Sequence, residues 1–233
     1  MPEQGSERPG ERAPLSRERV LRGALAIADA AGTGALTIRS IARELGVRPM
    51  SLYYYVAGKD EILDGIVDLV FSEIELPSPG GDWQAEMRRR AISARRVLRR
   101  HPWAIGLLQS RANPGAATLR HHDATIATLR KAGFSVAMTA HAYALLDSYI
   151  YGFALQETSL PFNPETVTEL AGPASQQISA RDYPHLAEMA TEHILQPGYD
   201  FGDEFEIGLS VILDALTTSI PGNRGRPSLT PSS

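Results

Sequence analysis

The chain contains no cysteine. That excludes a disulfide framework and thiolate metal sites, and it fits a reducing compartment. Long apolar runs are missing as well. The most apolar stretch, 142–155, is interrupted by Asp147 and falls short of the ~20 residues a bilayer span needs. The N-terminus is polar and lacks the apolar segment of a secretory signal. The expectation is a soluble, cytoplasmic protein with no membrane contact. No nucleophile elbow, phosphate loop or paired-carboxylate pattern is present, so nothing points to an enzyme or a cofactor. His121 with His122, and His185 with Glu188, do not complete four-ligand spacing, and no metal site is expected.

What is present is enough to fold. The 233 residues are 43% apolar, sufficient for a real core and for a small module joined to a larger one. The formal net charge of −4 conceals an uneven distribution. Between Arg8 and Lys59 nine basic residues stand against four acidic ones, a local balance of +5. A basic N-terminal block on an acidic remainder suits a small DNA-contacting head on a larger body.

The most informative segment is 36–56. Ile38, Ile41, Ala42 and Leu45 are spaced for one helical face. Gly46 supplies a left-handed stop, and Pro49 sits where a second helix begins. In that helix Leu52 and Val56 point one way, leaving Met50, Ser51, Tyr53 and Tyr54 on the other. A short helix that turns aromatics and a thioether to water needs a partner for that face. Helix, tight turn and second helix with an exposed reading face make a helix-turn-helix.

The remaining periodicity predicts an all-α chain. Residues 1–14 read as a flexible arm. Ser16 caps a first helix to residue 31, with Val20, Leu21, Ala24, Leu25, Ala28 and Ala31 on its apolar face. A fourth helix runs from 59 to about 75, and the Pro- and Gly-rich segment 76–81 marks the boundary between a head, 15–75, and a body, 82–220. In the body, helices are expected at 83–100, 103–110, 115–132, 136–160, 182–195 and 203–220. Residues 161–181 give no clear pattern, and 221–233 reads as a disordered tail. The helices around 143–155 and 203–220 are apolar on more than one side, which places them in the core centre or at a subunit interface. A symmetric dimer would explain both.

Leu36 to Val56, continued by Gly58-Lys59-Asp60-Glu61-Ile62-Leu63, resembles the TetR family of bacterial one-component repressors. Asp82-Trp83, Arg100-His101-Pro102-Trp103 and Lys131-Ala132-Gly133-Phe134 resemble the tetracycline-repressor-like regulatory domain of that family. The resemblance implies a homodimer on a double-stranded, pseudo-palindromic DNA operator, released when a small-molecule effector enters the C-terminal domain.

It also places Thr37 and Arg39 against the DNA backbone. Thr37 can cap its helix at the same time. Arg48, Pro49, Met50, Ser51, Tyr53, Tyr54 and Tyr55 match the recognition region. Arg48 is suited to guanine O6 and N7, and Met50 or Tyr54 to a thymine methyl. Tyr53 and Lys59 suit phosphates, which position without specifying. Tyr55, three residues after Leu52, is open between contact and core. No conventional capping residue precedes Pro49, because Arg48 occupies that slot.

Candidate effector-pocket residues are Trp103, Leu107, Leu108, Tyr143, Asp147, Tyr151 and Gln156, which mix apolar walls with a few polar groups. In the tetracycline-binding members a histidine and a glutamate hold drug-chelated magnesium. The aligned positions here, Leu108 and Gln156, are poor ligands for a hard cation. Asp147, an acid within an apolar helix, needs a partner: a cationic ligand, an internal arginine or water. The run Arg88, Arg89, Arg90, Arg95, Arg96, Arg99 and Arg100 reads as a solvated face, although it is basic enough for a second nucleic-acid surface. An all-α enzyme, for which no motif speaks, and a protein-docking module that uses the Met50, Tyr53 and Tyr54 face remain as competing classes. The effector, the operator and the choice between repressor and activator stay open.

Overall fold

The computed structural model describes residues 14–108, 110–160 and 180–220. All but the last residue of the expected arm, residues 161–179 of the unpatterned segment, and the tail from 221 lie outside that description. The described residues are helical throughout and contain no strand. The helices are α1 (Arg17–Ala31), α2 (Ile38–Leu45), α3 (Pro49–Leu52), α4 (Lys59–Glu73), α5 (Trp83–Arg100), α6 (Ala116–Lys131), α7 (Val136–Ser159), α8 (Pro184–Met189) and α9 (Glu204–Thr217). Helix α8 runs on as a π turn, Ala190–Ile194. None of the described helices is long and apolar enough to cross a membrane.

Side-chain caps explain where several helices begin. Ser16 accepts the Arg19 N–H at 3.2 Å to start α1, Asp82 accepts the Gln84 N–H at 3.0 Å to start α5, and Ser135 accepts the Met138 N–H at 3.2 Å to start α7. Three expectations fail locally. The described residues of segment 103–110 form no α-helix; a 3₁₀ turn, Pro102–Ala104, is followed by turns. Gly106 falls inside the span, and the run is too short to repay helix nucleation. Helix α3 ends at Leu52, so Val56 reaches the core from the turn that follows it. Ala31, expected on the buried stripe of α1, is exposed at its end.

Two apolar cores form. The head core gathers Val20, Leu21, Ala24, Ala28, Leu36, Ile41, Ala42, Leu52 and Val56 with Ile62, Leu63 and Ile66 of α4. The body core takes Val67, Val70 and Phe71 from the same helix and packs them with α5, α6, α7 and α9. Helix α4 therefore belongs to both. Its first half closes the head and its second half lies against α6, so one helix joins the two cores. Gly65 permits the close crossing with α1, because a Cβ there would stand 2.5 Å from a methyl of Leu21.

Candidate DNA-reading face and an interior polar cluster

The reading face is built from capping chemistry. Thr37 Oγ1 accepts the Ser40 N–H at 2.9 Å, and Ser40 Oγ accepts the Thr37 N–H at 2.9 Å, a reciprocal capping box. At the other end of α2, Gly46 adopts φ 67°. Its N–H bonds to Arg43 O at 3.2 Å, and Val47 N–H bonds to Ala42 O at 2.9 Å. This Schellman closure sets the turn into α3. Pro49 occupies the first helical position, and Arg48 precedes it without a side-chain cap.

Helix α3 and the turn that follows it are sharply two-sided. Leu52 is 0% exposed and Val56 2%, whereas Met50 is 77% and Tyr54 87% exposed. Thr37, Arg39, Arg48, Pro49, Ser51, Tyr53 and Lys59 are also exposed. Arg39, Arg48 and Lys59 form no ion pair among the described residues. By contrast Arg17 pairs with Glu61 and Arg22 with Glu18, so part of the basic block is spent internally. Tyr55 is half-buried against the head core, with Tyr54 edge-on to it at 5.1 Å.

The body holds a second arrangement. Thr139, Tyr143, Asp147 and Tyr151 recur every fourth residue along α7, a polar stripe on an otherwise apolar helix. Asp147, 2% exposed, is paired with Arg90 of α5, 1% exposed. Arg90 Nε also donates to His121 Nε2 of α6 at 3.3 Å, and His122 Nδ1 bonds the Tyr143 hydroxyl. Phe71 of α4 lies against His121 and His122 at 5.4 and 5.5 Å. Burial works against the Arg90 charge, and the Asp147 carboxylate more than restores it. Burial, reinforced by the Arg90 charge, pushes His121 down to about 3. Burial also lowers His122, and burial with the Asp147 charge holds the Tyr143 and Tyr151 phenols protonated. Among the described residues, four buried atoms close no hydrogen bond: Arg90 Nη1, His121 Nδ1, Thr139 Oγ1 and Asp147 Oδ2.

Of the expected pocket residues, Tyr143, Asp147 and Tyr151 meet in this cluster. Leu108 is buried in the body core, and Leu107 packs against both cores. Trp103 does something else: its Nε1 donates to Asp29 at 2.7 Å, beside a His101–Asp29 contact of the same length, tying the end of α1 to the body. Gln156 is exposed, contrary to expectation. It lies nine residues after Asp147, two and a half helical turns, and so faces the opposite side of α7.

Arg90, His121, His122 and Thr139 were not among the candidates. Arg90 was hidden in its arginine run, but it shares the stripe of Met87, Ala91 and Ala94, all buried. That register was the available signal. The other arginines are engaged at the surface: Arg95 chelates Glu157 at 2.9 and 2.6 Å, Arg96 meets Glu75 at 2.9 Å, and Arg100 meets Glu73 at 2.6 Å. These pairs leave little free charge for a second nucleic-acid surface. No group of three or more metal-ligating side chains gathers among the described residues.

Comparison with known proteins agrees with this anatomy. Residues 20–66 match the model of bacterial regulatory proteins of the tetR family, and residues 76–220 match that of the tetracyclin repressor-like C-terminal domain. The chain is 32% identical over 230 residues to the HTH-type transcriptional repressor DrrR1 of Streptomyces coeruleorubidus, covering 93% of this chain and 82% of that one. It is 27% identical over 205 residues to the class C tetracycline repressor of Escherichia coli, covering 87% and 90% respectively. Among solved structures, ActR of Streptomyces coelicolor in complex with actinorhodin superposes with a TM-score of 0.75 at 29% identity, covering 90% of this chain and 99% of that one.

Proposed function

The chain belongs to the tetR family of bacterial regulatory proteins, and from that premise we propose that it is a homodimeric cytoplasmic repressor, displaced from its operator by a small molecule held in the body. It is a DNA-binding transcriptional regulator. The observation that carries the reading is the split of segment 49–56, with Leu52 sealed in the head core and Met50 and Tyr54 presented to solvent beside Arg48, which forms no ion pair among the described residues. In the proposed complex Arg48 reads a guanine edge, Met50 and Tyr54 pack on thymine methyls, and Thr37, Arg39, Tyr53 and Lys59 engage phosphates. Ser51 and the ring of Pro49 line the same approach, and Tyr55 supports Tyr54 from behind. The body holds the effector beside Tyr143, Asp147 and Tyr151, and the solved complex of ActR with actinorhodin supports a ligand in a body of this shape.

Dimerisation follows from what a single subunit leaves uncovered. On α9, Phe205, Leu209 and Leu213 are buried while Ile207 and Val211 stand out at 61% and 65% exposure. Leu145 and Leu155 of α7 are similarly exposed. A second copy is the natural cover for these faces, and two heads then address half-sites about one helical turn, ~34 Å, apart. The test is fluorescence anisotropy of DNA from upstream of the coding sequence, titrated with full-length protein at several salt concentrations. Affinity that climbs as salt falls, and is lost in Arg48→Ala and Tyr54→Ala, is the expected result. Indifference to either substitution overturns the reading.

A further inference from the structure

The first turn of α4 sets two carboxylates beside Lys59, where negative charge repels a phosphate backbone. Asp60 is drawn off by Arg111, 3.2 Å away. Glu61 instead turns back on the chain that leads out of α3. Its Oε2 accepts the backbone N–H of Ala57 at 2.7 Å, and its Oε1 accepts Arg17 Nε of α1 at 3.1 Å. The Ala57 N–H, and after it Arg17, hold the carboxyl below its ordinary range against the opposing effects of burial and Asp64, so it is ionised at neutral pH.

Little else fixes this stretch of backbone. Helix α3 has four residues, too few to hold a helical conformation alone. Leu52 and Val56 anchor it in the head core, but the anchoring stops there. Gly58, which precedes α4, offers no side-chain cap. The Glu61 carboxylate closes the chain from 57 to 61 into a ring with Lys59 at its centre. Ala57 and Lys59 are two residues apart, at most about 7 Å of chain. The carboxylate therefore lies within one Debye length, about 8–10 Å, of the Lys59 backbone. By charge alone it weakens DNA binding. By geometry it does the reverse, because backbone freedom that must be lost on binding is subtracted from affinity.

We propose that Glu61 is a positioning residue for operator binding: steadied by Arg17, it holds the Ala57–Lys59 backbone where Lys59 meets its phosphate, and so strengthens binding although its own charge opposes it. The proposal rests on the reading of Lys59 as a phosphate contact.

The two effects have opposite signs, which makes them separable. Glu44 supplies the comparison. It is exposed on α2, its carboxylate has no hydrogen bond or ion pair among the described residues, and Glu44→Gln removes the same single charge from the head as Glu61→Gln. Fluorescence anisotropy of DNA from upstream of the coding sequence is titrated with full-length parent, Glu44→Gln, Glu61→Gln, Glu61→Ala and Lys59→Ala over a range of salt. Circular dichroism verifies that each protein is folded at the assay temperature. Glu44→Gln is expected to bind as tightly as the parent or more tightly. Glu61→Ala is expected to bind about tenfold more weakly, the size of one charge-assisted hydrogen bond. Glu61→Gln falls between, since its amide oxygen still accepts the Ala57 N–H but no longer attracts Arg17, and it decides the matter by itself if Glu61→Ala does not fold. The slope of log affinity against log salt should drop by about 1 in Glu61→Ala, as it does when Lys59 is removed. A purely structural role would lower Tm and leave that slope alone. Glu61 variants that bind as tightly as the parent or more tightly, or that lose affinity at an unchanged slope, overturn the proposal. A parental slope in Lys59→Ala beside a reduced one in Glu61→Ala would instead move the phosphate contact to a neighbour of Lys59 and leave Glu61 in its role.

Discussion

Asp68 on α4 caps α6: its Oδ1 accepts the backbone N–H of Thr118 at 2.8 Å and the Thr118 hydroxyl at 2.9 Å. The helix that closes the head therefore holds the first turn of the helix that carries His121. Gly115, just before α6, lets the carboxylate in, since a Cβ there would stand 2.2 Å from Asp68 Cγ. One turn along α4, Phe71 packs on the same two histidines that border the polar cluster. Helix α6 thus bears on α4 at two points. Losing a helix cap costs about 1 kcal/mol, which for a domain of this size lowers Tm by roughly 2–4 °C. Asp68→Ala is expected to show that modest loss in a thermal melt. It should also need more effector to release DNA while binding the effector as before. Unchanged release in the anisotropy titration would remove Asp68 from the coupling.

The reading face separates into residues that specify and residues that hold. Arg48→Ala should cost about 1–3 kcal/mol on the native operator and relax discrimination at one base pair per half-site. Lys59→Ala should weaken all sequences alike and reduce the slope of log affinity against log salt by about 1 for each phosphate it no longer neutralises. Titrating both variants against a panel of single-base operator changes distinguishes the two patterns. An Arg48 variant that weakens every sequence equally would make it a phosphate contact.

Most of the fold was legible because its signals are local. Ser16, Thr37, Gly46 and Pro49 punctuate the head through capping and left-handed geometry, and these depend on neighbours a few residues away. The body helices showed through apolar periodicity. What stayed hidden depends on contacts distant in sequence. Arg90 and Asp147 are 57 residues apart, and only packing of α5 against α7 shows that one arginine of seven turns inward. Gln156 rests on its alignment with a ligand position of the resembling family, and its place nine residues past Asp147 turns it away. The Asp29–Trp103 tie joins head to body across 74 residues and has no local signature.

His121 gives the protein an acid sensitivity with a definite sign. Folding pushes its pKa from an ordinary 6.5 down to about 3 by burial and by the Arg90 charge. Between those values the unfolded chain binds a proton that the folded chain refuses, so stability declines as pH drops from about 6.5 toward 3. At pH 5 this group alone accounts for about 2 kcal/mol of lost stability, taking 1.36 kcal/mol per unit. Urea unfolding at pH 7 and pH 5 should show that His121→Gln loses less stability between the two than the parent does. Equal losses in the two proteins would place the acid sensitivity elsewhere.

The exposed pair Ile207 and Val211 lies one turn apart on α9, on the side opposite Phe205, Leu209 and Leu213. Surface apolar residues scattered singly mean little, but two adjacent on one helix, with Leu145 and Leu155 exposed on α7, form a face that a second subunit can bury. In a two-fold interface the same patch serves both partners, so one substitution changes the contact twice. Val211→Asp would bring two like charges into an apolar contact, each unpaired, and should convert the protein to monomers at micromolar concentration by sedimentation velocity. Each head would still fold, because the head core takes no residue from α9. Operator affinity would fall steeply nonetheless, since a lone head engages one half-site and forfeits the effective concentration supplied by its twin. A Val211→Asp protein that remains dimeric and binds operator as before would move the subunit contact off α9.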